Sequence, residues 1–204
     1  MALKEGREQK LAMQKLEVKN ITFELTNACN LRCEFCTIWA EREKQILPLS
    51  KIIKFVTSDI FQHPFQTVTI TGGEVFLYPY LNKLFKSLVA LKLKRYLKTI
   101  AISSNGYDTK RILAFLNSNS DYLKDVELFI SLDGSRNTHN EVRGREDAYE
   151  KTLSTIETAA KRFPELKLYV KFTISEDNYQ DIETVYEFCK KNRINILFKL
   201  LEKS

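Results

Sequence analysis

The sequence predicts an α/β protein whose parallel strands form a partial (β/α)6 barrel. The first observation is an uninterrupted alternation of strand and helix patterns along the 204 residues, with six strand patterns. Such alternation favours parallel strands joined by right-handed crossovers, in either an open doubly wound sheet or a curved barrel. The second observation is that each strand pattern has one apolar side and one mixed or polar side. Because strands buried on both faces are normally apolar throughout, the polar side indicates a curved sheet around a ligand-filled lumen.

The elements follow from these patterns in chain order. Strands are predicted over residues 21–26, 67–71, 99–103, 126–132, 168–175 and 194–201, and helices over residues 51–60, 80–93, 112–116, 149–163 and 182–191. The helices are predicted from apolar residues three and four positions apart, and Ser50 is the expected N-cap of the first one. Residues 1–19 form a leading segment, for which a weakly amphipathic helix is predicted. Residues 20–204 have the length of one core domain.

Composition and charge indicate which kinds of partner and which cellular compartment to expect. The chain has 32 basic and 26 acidic residues, a net charge of +6. The basic residues are spread out, and the one modest cluster, at residues 92–95, is expected to face solvent, so a nucleic-acid partner is not predicted. No apolar run approaches the length of a membrane span. Four cysteines grouped three and one, without a signal-peptide pattern, indicate a reducing cytoplasm rather than a disulfide framework.

Three cysteines directly follow the first predicted strand. Cys29, Cys33 and Cys36 are spaced C-x3-C-x2-C, and thiolates are soft ligands that select zinc, copper(I) or iron–sulfur clusters. A structural zinc site takes four protein ligands. The fourth cysteine, Cys189, lies far away in a predicted helix. Three ligands without an obvious fourth favour a four-iron cluster with one open iron, and a zinc or electron-transfer module is the alternative.

Four motifs, each at the end of a predicted strand, resemble those of the radical S-adenosylmethionine (SAM) enzymes. The cysteine loop, with the aromatic Phe35 before its last cysteine, resembles the cluster loop of that family. The other three are Thr71-Gly72-Gly73-Glu74, Ser104-Asn105-Gly106 and Ser131-Leu132-Asp133-Gly134. The run over residues 131–144 is most similar to the branch that carries a SPASM or twitch extension. The resemblance covers roughly residues 20–200.

The resemblance implies a cofactor set and an activity. The three cysteines would bind three irons of a [4Fe-4S] cluster, and SAM would chelate the fourth. An electron from a donor such as flavodoxin or ferredoxin would cleave SAM to a 5′-deoxyadenosyl radical, which abstracts hydrogen from an unknown peptide or small molecule. The residues expected to contact SAM are Phe35, Gly72, Gly73, Glu74, Ser104, Asn105, Ser131 and Arg143.

Several of these residues have structural alternatives. Phe35 would lie against the adenine or only pack the loop. Glu74, or a backbone carbonyl beside it, would accept hydrogen bonds from the SAM ammonium. The Asn105-Gly106 pair is also common turn chemistry. Arg143 would clamp the SAM carboxylate through its fork of donors, or it would be an exposed loop arginine.

Three charged residues on the predicted inner face are candidates for substrate binding. Glu24, Lys171 and Lys199 must be paired, hydrated or liganded there, because isolated burial of a charge is costly. The alternatives are an ion pair between Glu24 and a lysine, or solvent at an open barrel edge. The functional hypothesis is that the two lysines bind an anionic substrate.

The predicted core departs from the usual family pattern at its carboxyl end. Family cores usually add a helix after the sixth strand, and the SPASM branch adds a domain with further clusters. Residues 202–204 are too few for either. The expectations are a minimal member, a fragment of a longer protein, or a subunit without independent turnover whose partner closes the barrel. Unpaired edges at strands one and six would favour association.

Overall fold

The computed structural model describes residues 15–201 and contains one six-stranded parallel sheet. Its strands lie in chain order: β1 Asn20–Glu24, β2 Phe65–Thr71, β3 Leu97–Ser104, β4 Val126–Ser131, β5 Lys167–Ile174 and β6 Asn195–Leu200. All five neighbouring pairs are parallel, so all carboxyl ends meet at one edge. Between residues 15 and 201, the edge strand β1 pairs only with β2 and the edge strand β6 pairs only with β5, so the two edge strands do not pair with each other. The predicted partial (β/α)6 architecture is confirmed, with an open rather than a closed sheet.

Six α-helices connect the strands. They are α1 Leu49–Val56, α2 Leu81–Leu93, α3 Thr109–Ser118, α4 Arg136–Arg143, α5 Ala148–Arg162 and α6 Ile182–Asn192. All of them except α4 contribute side chains to the core that covers the apolar face of the sheet. Ile70, Ile100 and Val170 are fully buried in that core. The core therefore lies between the sheet and the helices, and the other sheet face is left for a ligand.

The inner face is polar, as the strand patterns predict. Its rows follow the parallel register: Glu24 is paired with Thr71, and Ser131 with Lys171. One row includes two stacked rings, since the centroids of Phe129 and Tyr169 are 4.7 Å apart. The polar groups nearest the carboxyl ends of the strands therefore surround a common space.

Two local predictions are wrong. Ser50 does not cap α1, which begins at Leu49 after Pro48 without a side-chain cap; proline already holds the φ angle near that of a helix. The segment from Arg136 to Arg143, predicted as loop, is α4. Its position at the carboxyl edge of the sheet matters for the site described below.

The predicted leading helix lies mostly outside the described residues. From residue 15 to residue 19 the chain is not helical, and Leu16 forms a parallel bridge with Phe61. The Leu16 N–H donates to the Ile60 carbonyl at 2.7 Å. The prediction about residues 202–204 also falls outside the described range. None of the helices between residues 15 and 201 has the length and apolar character needed to cross a bilayer.

Candidate cofactor site at the carboxyl edge of the sheet

The carboxyl ends of β2 to β5 and the loop after β1 enclose a cavity of about 200 Å³. All three clustered cysteines line it. The other predicted site residues that line it are Phe35, Gly72, Gly73, Ser104, Asn105, Ser131, Arg143 and Lys171. The structure thus brings the strand-end motifs together with the thiols around one space. This is the edge at which parallel α/β barrels carry their reactive groups.

The cysteine loop is held against the end of β2 by the glycine pair. The Gly73 N–H donates to the Thr26 carbonyl at 2.6 Å, and the Glu74 N–H donates to the Ala28 carbonyl at 2.7 Å. A Cβ on Gly73 would lie 2.4 Å from the Ala28 carbonyl oxygen. A Cβ on Gly72 would lie 2.5 Å from the Thr26 carbonyl oxygen. These glycines permit a close approach of two backbones, which fixes the loop that carries the thiols.

The Glu74 side chain joins the ends of β2 and β3 instead of lining the cavity. One carboxylate oxygen accepts from the Phe76 N–H at 3.0 Å and from the Ser104 hydroxyl at 2.9 Å. The other accepts from the Asn105 N–H at 2.8 Å. Burial raises the pKa of Glu74, and these hydrogen bonds oppose the shift. The carboxylate therefore fixes the turn after β3.

Asn105 connects that turn to the cysteine loop. Its side-chain amide donates to the Asn30 Oδ1 at 2.8 Å and lies 3.8 Å from the Cys29 Sγ. Burial raises the pKa of Cys29, and the charges of Glu74 and the two other clustered cysteines raise it further. Metal binding to such a thiol releases its proton, so uptake of metal here depends on pH.

Arg143 is buried at the end of α4 and does not form an exposed loop. Its guanidinium forms an ion pair with Asp133 and donates to the Cys33 Sγ at 3.5 Å. Its Cζ also lies 5.6 Å from the centroid of the Phe35 ring. The charge of Asp133 raises the pKa of Arg143 against the effect of burial. Arg143 thus joins α4 and the strand-four motif to the cysteine loop.

Further polar residues support the site, and the sequence predicts no individual role for them. The Asp133 N–H donates to His139 Nδ1 at 3.0 Å, and its carboxylate accepts from the Thr173 N–H at 2.7 Å. Asn178 donates to the Asp133 and Thr173 carbonyls at 3.1 and 2.8 Å. The Trp39 indole lines the cavity and donates to the carbonyl of a clustered cysteine, Cys33, at 3.2 Å. Only the Ser-Leu-Asp-Gly motif gave a signal in the sequence for part of this network.

Comparison with the sequence models of known protein families identifies the family of this chain. The model of the Radical SAM superfamily matches residues 23–189 of the chain. The chain belongs to the radical SAM superfamily. Members of this superfamily use a [4Fe-4S] cluster and SAM, so the predicted cofactor set is confirmed at the level of the family.

Individual relatives of this radical SAM chain are longer than it. It is 31% identical over 168 residues to the sporulation killing factor maturation protein SkfB of Bacillus subtilis (strain 168), covering 82% of this chain and 38% of SkfB. It is 31% identical over 138 residues to the antilisterial bacteriocin subtilosin biosynthesis protein AlbA of the same strain, covering 66% of this chain and 29% of AlbA. The chain therefore spans about a third of the length of these two relatives.

A solved structure supports the fold of the radical SAM core. The anSMEcpe structure with bound AdoMet superimposes with a TM-score of 0.68 at 15% sequence identity, covering 92% of this chain and 52% of that one. At this identity the likeness concerns the fold. The predicted partial barrel is the architecture that the two chains share.

The residues at the radical SAM cavity fit the family's cofactors. Three soft thiol donors face the same space, and each thiolate of a four-iron cluster binds a different iron. They therefore need not converge on one point, and no three His, Cys, Asp or Glu side chains in the described part of the chain are spaced to hold a single metal ion. The Ser131 hydroxyl lines the cavity and makes no hydrogen bond within the described residues. It is available to a ligand, whereas the Ser104 hydroxyl is already bonded to Glu74.

The three substrate candidates do not lie together. Lys171 lines the cavity of the thiols. Glu24 lines a separate space of about 520 Å³ beside the segment from Ile38 to Pro48. Among the residues that the structure describes, Glu24 forms no ion pair with Lys171 or Lys199. The ion-pair alternative is therefore wrong. Lys199 is exposed on β6, as the solvent alternative expects, and the anionic-substrate hypothesis for the two lysines stays a prediction.

Proposed function

We propose that this chain holds a [4Fe-4S] cluster through Cys29, Cys33 and Cys36 and acts as a radical SAM enzyme on a peptide or small molecule. The observation that supports the proposal is that the three thiols and residues of the three other strand-end motifs line one cavity. When bound and reduced, the cluster and SAM together supply a 5′-deoxyadenosyl radical that abstracts hydrogen from the substrate. The tasks of the protein are to bind, orient and shield these groups.

Each task has candidate residues in this chain. Ser131, whose hydroxyl has no partner within the described residues, is proposed to bind the SAM carboxylate or ribose. Backbone groups beside Gly72 and Gly73 are proposed to bind the SAM ammonium. Phe35 lines the cavity and lies under the Arg143 guanidinium, so its ring is held in place, and the adenine is its proposed partner. Arg143 donates to Cys33 and pairs with Asp133, and its buried Nε, which has no partner within the described residues, is the donor proposed for the SAM carboxylate.

The partners follow from the same chemistry. An electron donor such as flavodoxin or ferredoxin is proposed to reduce the cluster. The names of SkfB and AlbA describe a maturation protein and a bacteriocin biosynthesis protein, which favours a peptide substrate among the two classes. All four cysteines are free thiols, and a reducing compartment such as the cytoplasm is proposed because it would keep them so.

The deciding experiment is anaerobic reconstitution with iron and sulfide, followed by reductant and SAM and an assay for 5′-deoxyadenosine. We expect product from the parent and from Cys189→Ala, the matched control, because Cys189 is buried in α6 away from the cavity. We expect no product from Cys33→Ala. A cluster that forms without SAM cleavage would instead favour a core that needs a partner or the rest of a longer chain. Binding of zinc in place of iron would contradict the proposal.

A further inference from the structure

We propose that the inner wall formed by β5 and β6 binds an anionic group of the substrate, a carboxylate or a phosphate, through Lys171 and Lys199. The inference rests on the proposed function, because it names the chemistry of the substrate at that same site. It specifies the charge of the substrate, which membership of the superfamily does not determine. Four observations support it. Lys171 lines the cavity, and Lys199 is its diagonal neighbour on the same face. The nearby Asp133 carboxylate is bonded to other groups, and both lysines lie on the last two strands of the sheet.

Lys171 is a half-buried cation aimed into the cavity of the thiols. It lines that cavity and is the register partner of Ser131 on β4. Burial lowers the pKa of Lys171, and the charges of Lys199 and Arg143 lower it further. An ammonium group in such a place is stabilised by a bound anion, which restores the attraction that burial and its cationic neighbours remove.

Lys199 extends the positive wall across the last strand pair. Lys171 is paired with Leu197, and Thr173 is paired with Lys199, so the two lysines are diagonal neighbours on the same face. Leu197 lies beside them and is 45% exposed on that face. The stacked rings of Phe129 and Tyr169 form the row below. The wall therefore offers two cations next to an apolar surface.

No carboxylate in the described part of the chain neutralises these two lysines. Asp133 is the acidic group whose charge acts on Lys171, but its oxygens are bonded to Arg143 and to the Thr173 N–H. Glu24 lies at the other edge strand and lines a different space. Glu127 is on the inner face at the amino side of the sheet, where its register partner is Lys167. Between residues 15 and 201, the wall thus has no internal counter-ion.

Two sources of an anion are compatible with this wall, the SAM carboxylate and a group on the substrate. The cysteine loop follows β1, whereas the lysines lie on β5 and β6, the last two strands in the sheet order. Lys199 is on the outermost strand and exposed to solvent. A ligand held at the cysteine loop would leave Lys199 without a partner, so we assign the pair to the substrate.

The test uses the reconstituted, SAM-loaded protein and two small probes, inorganic phosphate and succinate, titrated by anaerobic calorimetry. We expect the parent to bind at least one probe. We expect Lys171→Met and Lys199→Met to weaken that binding by about tenfold each, as for the loss of a charge-assisted hydrogen bond. The matched control is Lys167→Met, on the same strand and face but at the amino end, and it should bind as the parent does. Methionine keeps the length of the side chain and removes the charge.

A second arm distinguishes the sources of the anion. SAM and decarboxylated SAM are titrated into the reconstituted parent and Lys171→Met. Equal SAM affinities support the assignment to the substrate. A loss of affinity for SAM but not for decarboxylated SAM would assign Lys171 to the cofactor and overturn the inference. So would a parent that binds neither probe, or a control that loses binding to the same extent. A failure of the proposed function is seen separately, as a parent that makes no 5′-deoxyadenosine.

Discussion

Arg143 illustrates how the surroundings of one residue decide its role. Burying a guanidinium is costly unless it is paired and its donors are used. In this chain the guanidinium is stabilised by an ion pair with the Asp133 carboxylate, a hydrogen bond to the Cys33 sulfur and a contact with the face of the Phe35 ring. Asp133 is in turn fixed by the Thr173 N–H. A contact between a cation and one of the three grouped cysteines is therefore built into the fold.

His139 leads to a prediction about stability and pH. It is fully buried, and burial together with the charge of Arg143 lowers the pKa of His139 well below 6.5. Below pH 6.5 the unfolded chain binds a proton there that the folded chain does not, so the free energy of unfolding falls as the pH falls. His139→Asn keeps an acceptor for the Asp133 N–H and removes this titration. We expect it to flatten the pH dependence between pH 6.5 and 5 by up to about 1.6 kcal/mol in total, measured by urea denaturation of the cluster-free chain.

The control for this prediction lies on the same helix. Glu141 is exposed on α4 and takes no part in the buried contacts of His139. Glu141→Gln should therefore retain the slope of the parent. Equal slopes for the parent and His139→Asn would show that His139 is protonated to the same extent in both states, contrary to its burial.

At the scale of elements, the sequence predicted the strands and the apolar helices, and it did not predict α4. The strands alternate clearly, and five helices place apolar residues at helical spacing, which is the signal that periodicity detects. Helix α4 buries His139, Val142 and Arg143. Because its buried face is mostly polar and charged, it carries no apolar stripe. Its αL cap at Gly144 was the remaining local signal.

The candidate site, like the helices, contains residues that the sequence predicted and residues that it did not. Most of the residues that line the cavity were predicted from strand-end motifs, since parallel strands bring their ends together whatever lies between them in sequence, whereas Trp39 was missed. Glu74, or a backbone carbonyl beside it, was predicted to accept hydrogen bonds from the SAM ammonium; the Glu74 carboxylate accepts from Phe76, Ser104 and Asn105. Contacts between side chains some thirty residues apart depend on the packing of neighbouring elements, which periodicity does not reveal. Asn178 was missed for the same reason.

The contact between the cysteine loop and β2 leads to a prediction for Gly73. An added methyl at Gly73 would meet the Ala28 carbonyl oxygen at 2.4 Å, and a backbone atom cannot move aside as a side chain can. We expect Gly73→Ala to destabilise the chain by about 1–3 kcal/mol and to displace the loop that carries the thiols. The measurement is iron and sulfide per folded chain after reconstitution, which should fall well below the value of the parent.

Gly134→Ala is the matched control for that experiment. Its added methyl would meet side-chain atoms of Asp181 and Thr138 at 2.8 Å rather than the backbone of the cysteine loop. It should lower the free energy of unfolding while leaving iron per folded chain unchanged. If Gly73→Ala takes up as much iron as Gly134→Ala, the loop tolerates displacement and the glycine contact does not set the cluster site.

At the scale of the whole molecule, the two faces of the sheet have separate tasks. One face and five helices form the core, and the other face supplies the cavity, so changes in the lumen need not disturb the core. The two edges also differ. The end of β1 is covered by residues 45–47, through the bridge between Thr26 and Ile46 and the bond from the Leu47 N–H to the Leu25 carbonyl. Strand β6 pairs only with β5 within the described residues, which leaves its outer edge open.

The open edge of β6 predicts association of the chain through this strand. Leu197, Phe198 and Leu200 are 45%, 39% and 71% exposed there, and an unpaired strand with apolar side chains is a template for pairing with another strand. We expect the isolated chain to show concentration-dependent association in sedimentation velocity, and Leu200→Lys to weaken it by about tenfold or more, since a charge on an edge strand opposes pairing. Leu93→Lys is the control, because Leu93 is 78% exposed at the end of α2. Two outcomes would show that the β6 edge is not a contact surface in the isolated chain: a parent that stays monomeric at high concentration, or equal effects of Leu200→Lys and Leu93→Lys on the association.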